Sequence, residues 1–205
     1  MELKEHILAT AYRLFMAYGI RNITMDDLSK ELSISKKTIY QHFKDKDEIV
    51  YLTTRMALEH EQKYLDEIQQ YAKNSIDELI LITKFMREHI SKINPSVLFD
   101  IKKYYRDAWQ LYLTFKHEVF TNAVKASLKR GIEEGDFRKS IDIDILAIFR
   151  LEMIQLSFDD RIFPRTMFDF REVQMQILDH FIHGILTPKG LKAFQQQIKV
   201  NETEK

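Results

Sequence analysis

The stretch that decides the reading is SISKKTIYQHFKDKD, Ser33 to Asp47. It holds four lysines, Lys36, Lys37, Lys44 and Lys46, against Asp45 and Asp47. The chain as a whole carries 31 basic and 31 acidic residues and no net charge. Positive charge is thus gathered locally in a balanced protein, which marks a surface able to meet an anion. The pattern of the stretch is helical. Ser35 reads as an N-cap, and Ile39 and Phe43, four apart, form an apolar inner pair. Lys37, Tyr40, Gln41 and Lys44 fall on the opposite side, with Lys36, Thr38 and His42 flanking them.

A second short helix lies just upstream. Thr24 is its expected N-cap, and Asp26 and Asp27 place negative charge in the first turn, where the helix dipole favours it. Leu28 and Leu32 face inward. Before it, Leu3, Ile7, Ala11, Leu14, Phe15 and Tyr18 recur at helical spacing, and Gly19 ends that first helix. Two short helices joined at Ser33–Ile34 make a helix-turn-helix, whose second member can enter the major groove of DNA.

The chemistry of the outer face suits that role. Ser35 to Lys46 carries four positive charges and one negative, which attracts phosphate and releases counterions. The helix N-terminus adds backbone N–H donors. Thr38, Tyr40 and His42 can hydrogen-bond phosphate, while Lys37 and Gln41 can reach base edges, lysine suiting guanine and glutamine adenine. Charge alone does not decide the matter. Over residues 1–50, eight basic residues balance eight acidic ones, and a short basic helix is often only a solvated surface.

The ordered motifs carry more. ATAYRLFMAYGI, TMDDLSKELSIS and KTIYQHFKDKDEI together resemble the DNA-binding domain of TetR-type (tetracycline-repressor-like) transcriptional regulators, over about the first quarter of the chain. Lys37 stands where many members carry glycine, and Ser33 replaces a common glycine in the turn. The resemblance implies DNA contacts at Thr24, Lys36, Lys37, Thr38, Tyr40, His42 and Lys46, with Tyr40 and Lys46 on phosphate and Lys36 and Lys37 on bases. Ser35, as the cap of the recognition helix, and Gln41, from the helical wheel, join that set. It also implies a homodimer on a palindromic double-stranded operator, and a larger helical domain that binds a small-molecule effector.

The rest of the chain agrees in layout. With 45% hydrophobic residues, only five glycines and three prolines, long helices are favoured over many short strands. The expected fold is all-α, about nine helices, with a helix-turn-helix domain over 1–46 and a ligand-binding and dimerisation domain over 47–205. The fourth helix runs from a cap at Asp45 to Tyr71, the fifth from Ile76 to Ile93, the sixth from Ser96 to Tyr105 and the seventh from Asp107 to Glu133. The eighth spans Ile143 to Asp159 and the ninth Phe168 to Leu186, before a helical tail to Ile198.

Two apolar stripes, Ile145, Leu146, Phe149, Met153 and Leu156 on the eighth helix and Val173, Ile177, Phe181 and Ile185 on the ninth, are the candidate dimer surface. The same stripes can equally pack onto their own core. Phe85, Met86, Phe99, Tyr104, Tyr105, Trp109, Tyr112 and Phe115, with Phe149, are candidates to line an effector pocket for an apolar or aromatic molecule.

Other chemistry is thin. There is no cysteine, so thiolate catalysis and cysteine zinc sites are excluded. His180 and His183 lie three apart but lack a third ligand, so no metal or cofactor is expected. No window approaches the ~18 apolar residues of a membrane span, and the charged start is no secretory signal, so a cytoplasmic location is expected. Two other readings stay open on the residues alone: a helical small-molecule carrier with an incidental basic N-terminus, and a helical enzyme, which would require clustered acids or histidines.

Overall fold

Helix starts follow the capping residues. In the computed structural model, which describes residues 2–90 and 93–203, Thr24 opens α2 (Met25–Glu31) and Ser35 opens α3 (Lys36–His42). Before them lies α1 (Leu3–Tyr18), closed by Gly19 at φ 84° and ψ 150°, backbone open only to glycine. Asp45 accepts a hydrogen bond from Glu48 N at 2.9 Å as α4 (Lys46–Tyr71) begins. The chain continues through α5 (Ser75–Ile90), α6 (Ser96–Tyr104) and α7 (Arg106–Phe115). The expected end of the fifth helix at Ile93 runs across 91–92, outside the described residues.

The helix expected from Asp107 to Glu133 is broken by a π-helical turn, Lys116–Phe120, before α8 (Thr121–Glu133). There the Thr121 hydroxyl donates to the Lys116 carbonyl at 2.8 Å. Asp142 caps α9 (Ile143–Leu156) and Asp169 caps α10 (Phe170–Ile185), each accepting backbone N–H groups of the first turn. The tail is longer than expected, as α11 (Pro188–Thr203). Among the described residues no strand forms, and an isolated antiparallel bridge joins Phe137 and Leu186.

The chain divides into two compact units, residues 1–61 with 92–115 and residues 62–91 with 116–205. The first therefore extends beyond the functional division expected at residue 46. Its core explains why. Ile7, Ala11, Phe15, Leu28, Ile39 and Phe43 of α1 to α3 are joined by Ile49 and Val50 of α4 and by Val97, Ile101 and Ala108 of α6 and α7. Three helices over about forty residues bury little apolar surface alone, and these side chains close the core.

The second unit packs Ile76 and Leu79 of α5, Leu128 of α8, Ala147 of α9, Leu178, Phe181, Ile182 and Ile185 of α10 and Phe194 of α11 around Phe137. One ionic network is sunk into it. Glu78, 1% exposed, meets Arg130 Nη1 at 3.4 Å, while Arg130 also donates to the Ala72 carbonyl at 2.9 Å and to Glu134 at 3.0 Å. Burial pushes the Glu78 carboxyl above its ordinary value, and Arg130 partly opposes this. Among the described residues no helix is long and apolar enough to cross a membrane.

Candidate nucleic-acid interface

The interface is built on reciprocal caps. At the start of α2 the Thr24 hydroxyl accepts from Asp27 N at 3.2 Å, and the Asp27 carboxylate accepts from Thr24 N at 2.8 Å and from the Thr24 hydroxyl at 2.6 Å. These bonds hold the Asp27 carboxyl below its usual value. At the start of α3 Ser35 Oγ accepts from Thr38 N at 3.0 Å and shares a 2.8 Å hydrogen bond with the Thr38 hydroxyl. Both helix starts are thus fixed by side chains two or three atoms long, which leaves little freedom in the entry angle of α3.

The joint between the helices is strained. Ser33 sits at φ 54°, in the left-handed region that favours glycine. Ser33 N reaches the Lys30 carbonyl at 3.1 Å and Ile34 N reaches the Ser29 carbonyl at 3.0 Å, the bonds that close α2. Arg13 of α1 is ion-paired to Glu31 at the end of α2.

On α3 the inner pair is as expected: Ile39 is 0% and Phe43 1% exposed. Tyr40 is half-exposed, Lys37, Gln41 and Lys44 are exposed, and Thr38 and His42 are half-buried at the margins. The outward row Lys37, Tyr40, Gln41 and Lys44 therefore presents long polar side chains on one helix face anchored from behind by apolar ones. Lys36 is engaged within the chain, its Nζ 2.9 Å from Asp26 Oδ1. Lys46 is placed differently from a phosphate-facing lysine. Its ammonium donates to the Ile20 carbonyl at 2.6 Å and lies over the rings of Phe15 and Tyr105, and burial lowers its pKa. It ties α4 to the loop that precedes α2.

Residues 7–51 match the model of the family described as bacterial regulatory proteins, tetR family. Over these residues the chain is a tetR-type DNA-binding domain. It is similar to the HTH-type transcriptional regulator YvaF of Bacillus subtilis (strain 168), 25% identical over 182 residues, 88% of this chain and 94% of that one. In fold it is similar to a TetR-family regulator from Agrobacterium tumefaciens, with TM-score 0.74 and 15% identity over 90% of this chain and 97% of that one. It is also similar to a putative regulator from Saccharomonospora viridis solved in complex with choline, TM-score 0.72 at 18% identity, covering 90% and 97% of the two chains.

The residues expected to line an effector pocket are distributed over both units. In the first unit Tyr105 and Trp109 pack against the core, and Trp109 stacks on Tyr112 at 5.2 Å. In the second, Phe85 is buried and stacks on Tyr64 at 4.1 Å, with Met86 beside the core. Three of the set stand at the surface instead. Phe99 is 53% exposed beneath Lys103, and Phe149 is 50% exposed on the outer side of α9. Tyr104 is also turned outward, where Arg21 stacks on its ring and donates to its hydroxyl at 2.9 Å.

The two apolar stripes part company. On α9, Ile145, Phe149 and Leu156 are exposed and Met153 is half-buried. Ile148, which the stripe reading passed over, is exposed with them. On α10, Val173 and Phe181 are each only 8% exposed and Ile185 1%, with Ile177 half-buried. These α10 side chains serve their own core because α10 packs on α5 and α9 along that stripe. The missed signal at Ile148 was the composition of α9, whose sequence IDILAIFRLEMIQL is apolar nearly all round, as in a helix covered on both sides. His180 and His183 gather no third ligand: His183 Nδ1 lies 3.3 Å from Asp179, and no group of three potential metal ligands occurs among the described residues.

Proposed function

We propose that this regulator is a homodimeric repressor that grips a palindromic operator through α3 and is released by a small, largely apolar or aromatic effector. The observation that carries the reading is the outward face of α3, Lys37, Tyr40, Gln41 and Lys44, held rigid by Ser35 and by the buried pair Ile39 and Phe43. Tyr40 and the flanking Thr38 and His42 hold phosphate, Lys37 and Gln41 read bases, and the α2 start at Thr24 meets the neighbouring backbone. Lys36 joins them when it exchanges Asp26 for DNA. Lys46 supports the interface from inside, fixing α4 against the Ile20 loop.

Two copies are needed because one helix-turn-helix covers little DNA, and two-fold symmetry sets the half-sites about one helical turn apart. The exposed α9 row of Ile145, Ile148, Phe149 and Leu156 supplies apolar surface for that pairing, with Met153 at its edge. The choline complex of the S. viridis neighbour supports a fold able to hold a small molecule. Phe85 and Met86 of the second unit are proposed to serve that purpose here. An effector that prefers one setting of α4 over another would shift the recognition helices and weaken operator binding.

The test is fluorescence anisotropy with DNA from upstream of the gene. Wild type should bind that duplex at least about a thousandfold more tightly than a scrambled one at physiological salt. Tyr40→Ala should abolish the preference while sedimentation still reports a dimer. Equal affinity for both duplexes would sink the regulator reading in favour of a carrier.

A further inference from the structure

Among the described residues Arg150 is a buried cation with no acid to hold. It lies on the inner side of α9, between the buried Ala147 and Leu151, and is itself 6% exposed. Its guanidinium makes no hydrogen bond or ion pair with any described residue, and Nη1 is enclosed without an acceptor. The ring of Phe181 on α10 lies 5.4 Å from the guanidinium carbon. A ring face offsets only part of what a guanidinium loses on leaving water. Burial alone accordingly lowers its affinity for the proton.

Four carboxylates of α9, α10 and α5 are engaged elsewhere. Glu152 of α9 holds Lys116 at 2.6 Å, Asp144 of α9 holds Lys125 at 2.6 Å, Asp179 of α10 faces His183 at 3.3 Å, and Glu78 of α5 faces Arg130 at 3.4 Å. An arginine in such a place is normally paired. A methionine would fill the volume without the desolvation cost. An unpaired guanidinium beside the apolar ring of Phe181, itself part of the apolar core of the second unit, has the two halves of a site for an amphiphilic anion.

We infer that Arg150 anchors the carboxylate of an apolar small-molecule acid, whose tail lies along the α9 and α10 side chains of the second unit. This rests on the effector-responsive reading above and narrows it to anionic effectors. The guanidinium forks onto the carboxylate oxygens while Phe181 keeps water from the pair, so neutral and cationic analogues of the same tail are rejected.

The experiment uses the full-length protein without DNA and three probes with one chain length: octanoate, octan-1-ol and octylamine. Calorimetric titration should show octanoate binding, with the alcohol and the amine at least about thirtyfold weaker. Arg150→Met should weaken octanoate by at least about thirtyfold, the fold-change expected on removing one partner of a buried charge pair. The same variant without ligand should melt at or above the wild-type temperature, because an uncompensated buried charge has been removed. If Arg150→Met does not fold, Arg150→Gln carries the same comparison.

Equal binding of the three probes, or octanoate binding retained in Arg150→Met, overturns the site. So does a lower melting temperature together with loss of the dimer in that variant, since a carboxylate of a second copy would then be the partner. Operator release is measured separately. Octanoate that binds through Arg150 but leaves DNA bound keeps the site and overturns the effector-responsive reading. Release by neutral aromatics without octanoate binding does the reverse.

Discussion

Lys36 Nζ lies 2.9 Å from Asp26 Oδ1, so the first residue of the recognition helix is tied to the first turn of the helix before it. Lys37, its neighbour in sequence, is exposed and has no such tie among the described residues. Two adjacent lysines of one helix thus differ in what they can give to DNA. Lys37→Ala should lose about 1–3 kcal/mol of operator affinity if it reads a base, with relaxed preference at one position. Lys36→Ala should lose less, because Lys36 must first leave Asp26, and Asp26→Asn should tighten binding. Anisotropy titrations of the three variants against one operator duplex decide this. Equal losses for the two lysines would contradict it.

Ser33 holds φ 54° at the joint between α2 and α3. A side chain in the left-handed region costs about 1 kcal/mol relative to glycine. Ser33→Gly should therefore raise stability by up to about 1 kcal/mol, less the entropy that glycine adds to the unfolded chain. Urea unfolding should show a higher midpoint at unchanged slope. A lower midpoint would mean that the serine contributes contacts outweighing its strain.

Asp27 caps the Thr24 backbone, and its carboxyl titrates below the ordinary value because of those bonds. The sign follows. A lowered folded pKa gives stability that is present above the unfolded carboxylate value and is lost as pH falls through the folded one. Wild type should thus exceed Asp27→Asn in stability at about pH 6, with the gap closing towards about pH 3. A gap that is constant with pH would show that the carboxylate charge plays no part in the cap.

Arg130 compensates the buried carboxylate of Glu78. Arg130→Met should cost about 3 kcal/mol, since it leaves a charge in the core of the second unit. Glu78→Gln in the same background should recover part of that loss. Thermal melts of the single and double variants give the coupling, and strictly additive losses would show the pair to be independent.

Much of the first unit was legible because its signals are local. Thr24, Ser35 and Asp45 cap helices with atoms a few residues away, and Ile39 and Phe43 share a face by spacing alone. Such features need no knowledge of the fold. The π-helical turn at Lys116–Phe120 was not legible, because the aromatic and apolar spacing from Trp109 to Phe120 reads as unbroken helix. The use of Lys46 was also hidden. Its ammonium meets the Ile20 carbonyl, 26 residues back, a contact that exists only once α1 and α4 pack together.

The α9 and α10 stripes mark the boundary between the two kinds of information. The sequence by itself determined that Val173, Phe181, Ile145 and Phe149 belong to amphipathic or apolar helices, since side-chain periodicity is a property of one helix. It also determined the helix-turn-helix, its caps and its outward polar row, and through them the resemblance of the first quarter of the chain to TetR-type regulators. Only the tertiary structure decided that Val173 and Phe181 turn into their own core while Ile145 and Phe149 stay exposed, and that Arg150 is buried without an acid. The physical reason is that burial is a relation between elements. A helix fixes which residues share a face, but what covers that face is set by the rest of the fold.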